Sequence, residues 1–143
     1  EYKKSMRDYN YKIQATTNID DITSQCQLIV TCTPSEKALI STVSPGTHIT
    51  AIGSDTTVKR ELSSSVLLQA DAVITDSKSQ SRERGEIYQA SKDGFSGKST
   101  LELGNIIRGA VKGRTSQDQI TIADLTGVAV QDIQISKAIL RNL

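Results

Sequence analysis

The stretch QLIVTCT, residues 27–33, decides the fold. It is a continuous run of apolar and β-branched residues stopped by Pro34, and it reads as a strand buried on both faces, as in a parallel sheet. A second such run, HITAIG (48–53), follows a turn signalled by Pro45 and Gly46. A third, DAVITD (71–76), follows KRELSSSVLLQA (59–70), whose spacing predicts a helix. Strands that alternate with helices imply an α/β domain with a mostly parallel sheet flanked by helices.

Outward from these runs the pattern continues in both directions. Upstream, YKIQAT (11–16) alternates like a strand, and NIDDITSQC (18–26) predicts a short helix with Asn18 or Asp20 as its cap. The opening EYKKSMRDYN reads as the solvated end of a helix. Downstream, SKSQSRERGEIYQA (77–90) predicts a polar, exposed helix, KDGFSGKST (92–100) a loop and LELGNIIRGAV (101–111) a short helix. GRTSQDQ (113–119) has the composition of a loop that hydrogen-bonds its own backbone. ITIADLTG (120–127) predicts a strand with its turn, and VAVQDIQISKAILRNL (128–143) a closing helix.

Composition narrows the class without choosing a function. The 143 residues fit one domain, and 17 Lys and Arg against 16 Asp and Glu leave a formal net charge of +1, with the charges scattered. That balance gives no electrostatic case for nucleic acid or an anionic membrane. No apolar run reaches the roughly 18 residues of a membrane span, and no leader pattern opens the chain, so a soluble, cytoplasmic protein is expected. Cys26 and Cys32 are expected to serve ordinary packing, and with one His they are too few for a metal site. The sequence holds no G-x-G-x-x-G, P-loop, G-x-S-x-G, H-E-x-x-H or C-x-x-C. For a dinucleotide-binding fold, the missing glycine-rich turn is explained if the chain begins after the first β-α-β unit.

In parallel sheets ligands gather beyond the carboxyl ends of the strands. Those ends supply Thr31, Thr33 and Ser35; Gly53, Ser54 and Asp55; Asp76 and Ser77; and Asp124, Thr126 and Gly127. Asp55 suits a general acid/base if it is partly desolvated and within reach of a reacting proton, or it caps the helix expected near Lys59. Gly53 permits close backbone approach to a ligand or only turns the chain. Lys59 is a contact for phosphate or carboxylate, or a solvated lysine of a first helical turn. His48 reads as a packed histidine, and Arg114 as part of its loop with a functional role as the alternative.

Taken in order, LIVTCTPSEK, PGTHITAIGSDTTVKREL, ADAVITDS, the Gly85-Glu86 pair, ELGNIIRG and GRTSQDQITIADLTGVAVQD resemble the C-terminal part of the ornithine cyclodeaminase/mu-crystallin family, almost end to end. The resemblance implies a Rossmann-like cofactor domain using NAD or NADP, with no metal. It implies that Asp55 is the proton donor and acceptor, that Ile52, Gly53 and Ser54 line the nicotinamide side, and that Thr33 and Lys59 lie at the cofactor. Leu125 and Thr126 fall on a segment that approaches nicotinamide and substrate. They stand where the cyclodeaminase has a serine and a valine, a departure that points toward the imino-acid reductases.

The activity so implied is conversion of L-ornithine to L-proline and ammonia, or reduction of a cyclic imino acid; a crystallin-type binding protein is the alternative. Its partners would be a small amino or imino acid and, in the parent protein, a second subunit. By the family's order the glycine-rich turn and the substrate and dimerisation domain lie upstream of residues 1–143, so this chain alone is expected to be inactive. Its sheet should lack the central strands, leaving 11–16 misplaced or loosely packed. A phospho-acceptor reading of Asp20, Asp21 and Asp55 fails because no buried apolar strand precedes Asp20.

Overall fold

In the computed structural model, residues 12–97 and 100–142 are described. The strands are β1 (Leu28–Thr31), β2 (His48–Ala51), β3 (Ala72–Thr75), β4 (Thr100–Glu102) and β5 (Thr121–Asp124). The helices are α1 (Ile19–Gln25), α2 (Ser64–Gln69), α3 (Glu86–Lys92), α4 (Leu103–Ile107) and α5 (Ala129–Leu140), with a 3-10 turn at Gln80–Arg82. The five strands form one all-parallel sheet in the order β1-β2-β5-β3-β4. Among the described residues no helix is long and apolar enough to cross a membrane, and no group of three or more His, Cys, Asp or Glu is placed to hold a metal ion.

Register explains where the core sits. Ile29, Ile49, Ile122 and Val73 are paired across β1, β2, β5 and β3, and this row joins Val66 and Leu67 of α2 and Ile87 and Ala90 of α3 in one buried cluster. Each such side chain contributes about 1.5–3 kcal/mol of burial. β3 and β5 are buried on both faces, as expected of inner parallel strands.

β1 corrects the reading of residues 27–33. It is an edge strand with Leu28 67% and Val30 59% exposed, so only its Ile29 and Thr31 face is buried. Its apolar composition suits a strand covered on both sides, but among the described residues nothing covers one face of β1. Cys26 and Cys32 are exposed and unpaired, against the expectation of packed thiols.

Further boundaries differ for identifiable reasons. Residues 12–16 form no strand and are exposed except for half-buried Ile13; Tyr11 and the expected helix end at 1–10 lie outside the described residues. The helix expected from residue 59 begins at Ser64. Residues 61 and 62 are pulled into extended geometry because the Glu61 carbonyl accepts from Leu39 and Ile40 N–H and Leu62 bridges Ile40. The exposed helix expected over 77–90 is broken at Gly85, whose φ of +93° ends the 3-10 segment and starts α3. α3 is not a solvated helix, since Glu86, Ile87, Gln89 and Ala90 are buried. The segment expected as loop then helix over 92–111 contains β4, which at three residues is too short to leave a period-2 signature. Asn18 caps α1 as expected, its side chain accepting from Asp20 N at 3.1 Å. α5 forms where expected, but all its residues are exposed.

Candidate functional site

Pairing aligns Thr31, Ala51, Asp124, Thr75 and Glu102 in one row along the carboxyl edge of the sheet. The chain beyond that row forms the site. Ile52 N–H donates to the Thr31 carbonyl at 3.0 Å and Leu125 N–H to the Ala51 carbonyl at 2.9 Å, so both segments leave the edge side by side. Between them lies a cleft of about 280 Å³ lined by Ile52, Asp55, Leu125, Thr126, Gly127 and Gln131. Five of the residues singled out from the sequence, Ile52, Asp55, Leu125, Thr126 and Gly127, therefore share one cavity.

Asp55 does not cap a helix. Its Oδ1 accepts from Lys59 Nζ at 2.7 Å, and the two side chains are 52% and 29% exposed. The Lys59 hydrogen bond, with the Arg84 charge adding a smaller effect, holds the Asp55 carboxyl below the ordinary aspartate value. Lys59 lies in the non-helical segment before α2, not in a helical turn, and it pairs with Asp55.

Thr33, Gly53 and Ser54 lie beneath the cleft. Ser54 is buried and donates its hydroxyl to the Lys59 carbonyl at 2.7 Å, which closes the Asp55 loop on itself. Thr33 and Gly53 converge on Glu61. Its Oε1 accepts from Thr33 N–H at 2.6 Å and Thr33 Oγ1 at 2.8 Å; its Oε2 accepts from Thr31 Oγ1 at 2.7 Å and Gly53 N–H at 3.0 Å. A Cβ on Gly53 would stand 2.4 Å from the Thr33 carbonyl oxygen and 2.5 Å from Glu61 Oε1, so only glycine fits.

Two more buried carboxylates extend this network. Glu86 accepts from Glu61 N–H at 2.7 Å and Leu62 N–H at 3.0 Å, one on each oxygen. Asp124 Oδ2 accepts from Ile87 N–H at 2.9 Å, while Oδ1 is buried and has no partner among the described residues. Burial pushes the Glu86 carboxyl up to about 7 and that of Asp124 up to about 6, against the lowering effect of the backbone donors. Sequence reasoning assigned no role to Glu61 or Glu86. Nothing local marks them, because their donors come from other strand ends and loops.

The other wall of the cleft is fixed from β3. Asp76 Oδ2 accepts from Gly127 N–H at 2.7 Å, and Gln80 Nε2 donates to Thr126 Oγ1 at 2.6 Å. His48 and Arg114 belong to the opposite edge. His48 shares hydrogen bonds with Thr121 Oγ1 at 2.7 Å and Thr50 Oγ1 at 3.2 Å, and burial holds its pKa below the ordinary value, helped by the Arg114 charge. Arg114 donates to the carbonyls of Gly46 at 2.7 Å and Ser116 at 3.0 Å, the structural role its loop composition suggested.

Comparison with known proteins places the sequence and the fold among known relatives. The model of the Ornithine cyclodeaminase/mu-crystallin family matches residues 2–143. An uncharacterized cyclodeaminase of Sinorhizobium fredii is 36% identical over 133 residues, covering 90% of this chain and 40% of the relative. An alanine dehydrogenase of Archaeoglobus fulgidus is 37% identical over 134 residues, covering 91% and 41%. This chain thus spans about two-fifths of the length of these curated relatives. Among solved structures, an archaeal alanine dehydrogenase dimer with bound NAD superposes with a TM-score of 0.88 at 32% identity, over 98% of this chain and 46% of that one. The iminosuccinate reductase of Paracoccus denitrificans in complex with NAD+ gives 0.81 at 32% identity, over 86% and 38%.

Proposed function

We propose, for a chain that belongs to the ornithine cyclodeaminase/mu-crystallin family, that it is the C-terminal part of the NAD(P)-binding domain of an enzyme acting on a small amino or imino acid. The reaction is conversion of L-ornithine to L-proline and ammonia, or reduction of a cyclic imine such as pyrroline-2-carboxylate. In this reading the substrate and dimerisation domain belongs to the rest of a homodimeric parent protein.

The observation that carries the reading is the grouping of Asp55 with Ile52, Leu125 and Thr126 in one cleft at the carboxyl edge. A nicotinamide ring needs an apolar wall with a polar group at its rim. Ile52, 42% exposed, and half-buried Leu125 supply the wall, and Asp55 supplies the rim. NAD, when bound, supplies the hydride acceptor or donor. Gly53 and Ser54 would offer backbone to the cofactor, with Thr33 and Lys59 beside them and Thr126 turned to the substrate. Lys59 lowers the basicity of the Asp55 carboxylate, so Asp55 takes a proton from the substrate's amino group only as the Lys59 contact opens. Giving a proton back to an imine requires the Lys59 contact to open.

The test uses the full-length protein, incubated with L-ornithine and NAD+ while proline and ammonia are followed, and separately with pyrroline-2-carboxylate and NADH or NADPH. Loss of turnover by at least 100-fold in Asp55→Asn, with cofactor binding kept, is the expected result. Ammonia and proline from ornithine identify a cyclodeaminase, and turnover of the imine alone identifies a reductase. Cofactor binding with no turnover of either substrate overturns the enzyme reading in favour of a binding protein.

A further inference from the structure

Glu61 is fully buried, has no cationic partner among the described residues, and accepts hydrogen bonds from two different strand ends. Each of its oxygens accepts from one backbone N–H, Thr33 on Oε1 and Gly53 on Oε2. An amide in the same place presents only one acceptor oxygen. Whichever way it is turned, its NH2 faces a backbone N–H, and one of the two strand ends comes loose. The carboxylate is therefore chemically required, which a merely space-filling residue is not.

The contact also has a direction. Gly53 begins the Gly53-Ser54-Asp55 loop, and there is no room for a Cβ between it and Thr33 or Glu61, so the loop starts packed directly on the clamp. Behind it, Glu86 holds the backbone N–H groups of Glu61 and Leu62, so the clamp is anchored on α3.

We infer that Glu61 is a positioning residue for the cofactor side of the site, locking the ends of β1 and β2 so that Ile52 and Asp55, on either side of the buried Gly53-Ser54 pair, meet the nicotinamide in a fixed geometry. The inference rests on the NAD(P) reading above and adds to it a residue that acts through the backbone of its neighbours.

The experiment compares full-length wild type with Glu61→Gln, Thr31→Val and Asp71→Ala, measuring the KM for NADH, kcat and the melting temperature. Asp71 accepts from Ile120 N–H at 2.8 Å at the opposite edge, so its variant reports a lost backbone contact remote from the cleft. Expected is a rise in KM for NADH of about tenfold in Glu61→Gln, the loss of one hydrogen bond's worth of cofactor positioning. Asp71→Ala lowers the melting temperature and leaves KM and kcat unchanged. If Glu61→Gln does not fold, Thr31→Val, which removes one donor from Oε2, is expected to raise KM several-fold in the folded protein. An unchanged KM in folded Glu61→Gln, or in Thr31→Val where Glu61→Gln does not fold, overturns the positioning role even if stability falls. Wild type that neither binds NADH nor turns over an imine overturns the NAD(P) reading itself, and the positioning role with it.

Discussion

Asp55 is a carboxylate at the rim of a cleft, and its state is set by a neighbour four residues on. The Lys59 ammonium at 2.7 Å is the largest influence on it, so removing that ammonium has a direct consequence. In Lys59→Met the Asp55 titration midpoint is expected to move up toward the ordinary aspartate value near 3.8. Carboxyl-detected NMR titration of wild type and variant measures it, and a midpoint that stays in place would show that Arg84 or the loop backbone dominates instead. At this scale the sequence was informative: Asp55, Ile52, Leu125 and Thr126 were singled out from strand ends and motif resemblance, and they share a cavity. Glu61 and Glu86 were given no role, although the Gly85-Glu86 pair helps carry the resemblance, because a charged residue beside an apolar one, as in REL, looks the same whether it is solvated or buried.

At the scale of elements, glycine placement shows how packing adds to backbone preference. Gly85 and Gly94 share a positive φ, +93° and +95°, that disfavours any side chain. A Cβ at Gly85 would meet Thr126 Cγ2 at 2.6 Å and both Asp124 carboxylate oxygens at 2.8 Å, whereas at Gly94 it would meet nothing within 4 Å. Gly94→Ala is thus expected to cost only the left-handed strain of about 1–2 kcal/mol. Gly85→Ala is expected to cost about 1–3 kcal/mol more from overpacking, and to displace the Thr126 wall of the cleft. Urea unfolding of the two variants separates these contributions, and equal losses would disprove the packing account. The position of α3 depends on the same junction, since its Ile87 N–H donates to Asp124 at the end of β5.

For the whole molecule, the buried carboxylates set a dependence of stability on pH. Glu86 and Asp124 have folded-state values pushed up to about 7 and about 6, from 4.5 and 3.8. Groups raised in this way bind protons more tightly in the folded state, so the stability they contribute is present below about pH 4 and is lost as pH rises toward 7. His48 acts in the opposite sense, because its lowered value removes stability as pH falls through 6.5. Glu86→Gln isolates one side of this balance. The advantage of wild type over Glu86→Gln is expected to be larger at pH 5 than at pH 7.5, by on the order of 1–2 kcal/mol. Urea unfolding at the two pH values measures it, and a difference independent of pH would show that Glu86 is not raised by burial.

The sequence by itself determined that this chain makes parallel strands alternating with helices, where four of its strands and its first and last helices fall, and which family its motifs belong to. Those features are written in runs, periods and caps, which depend on residues within a few positions of one another. Only the tertiary structure decided that β1 is an edge strand, that residues 59–62 stay non-helical, and that a three-residue β4 completes the sheet. It alone placed three carboxylates beneath the site. The donors that satisfy Glu61 include Thr31 and Thr33, 30 and 28 residues away, and a hydrogen bond across such a separation leaves no trace in local pattern. The strand ends supply the polar groups, and the packing of α2 and α3 beneath them fixes which of those groups turn inward to hold the edge and which remain at the cleft.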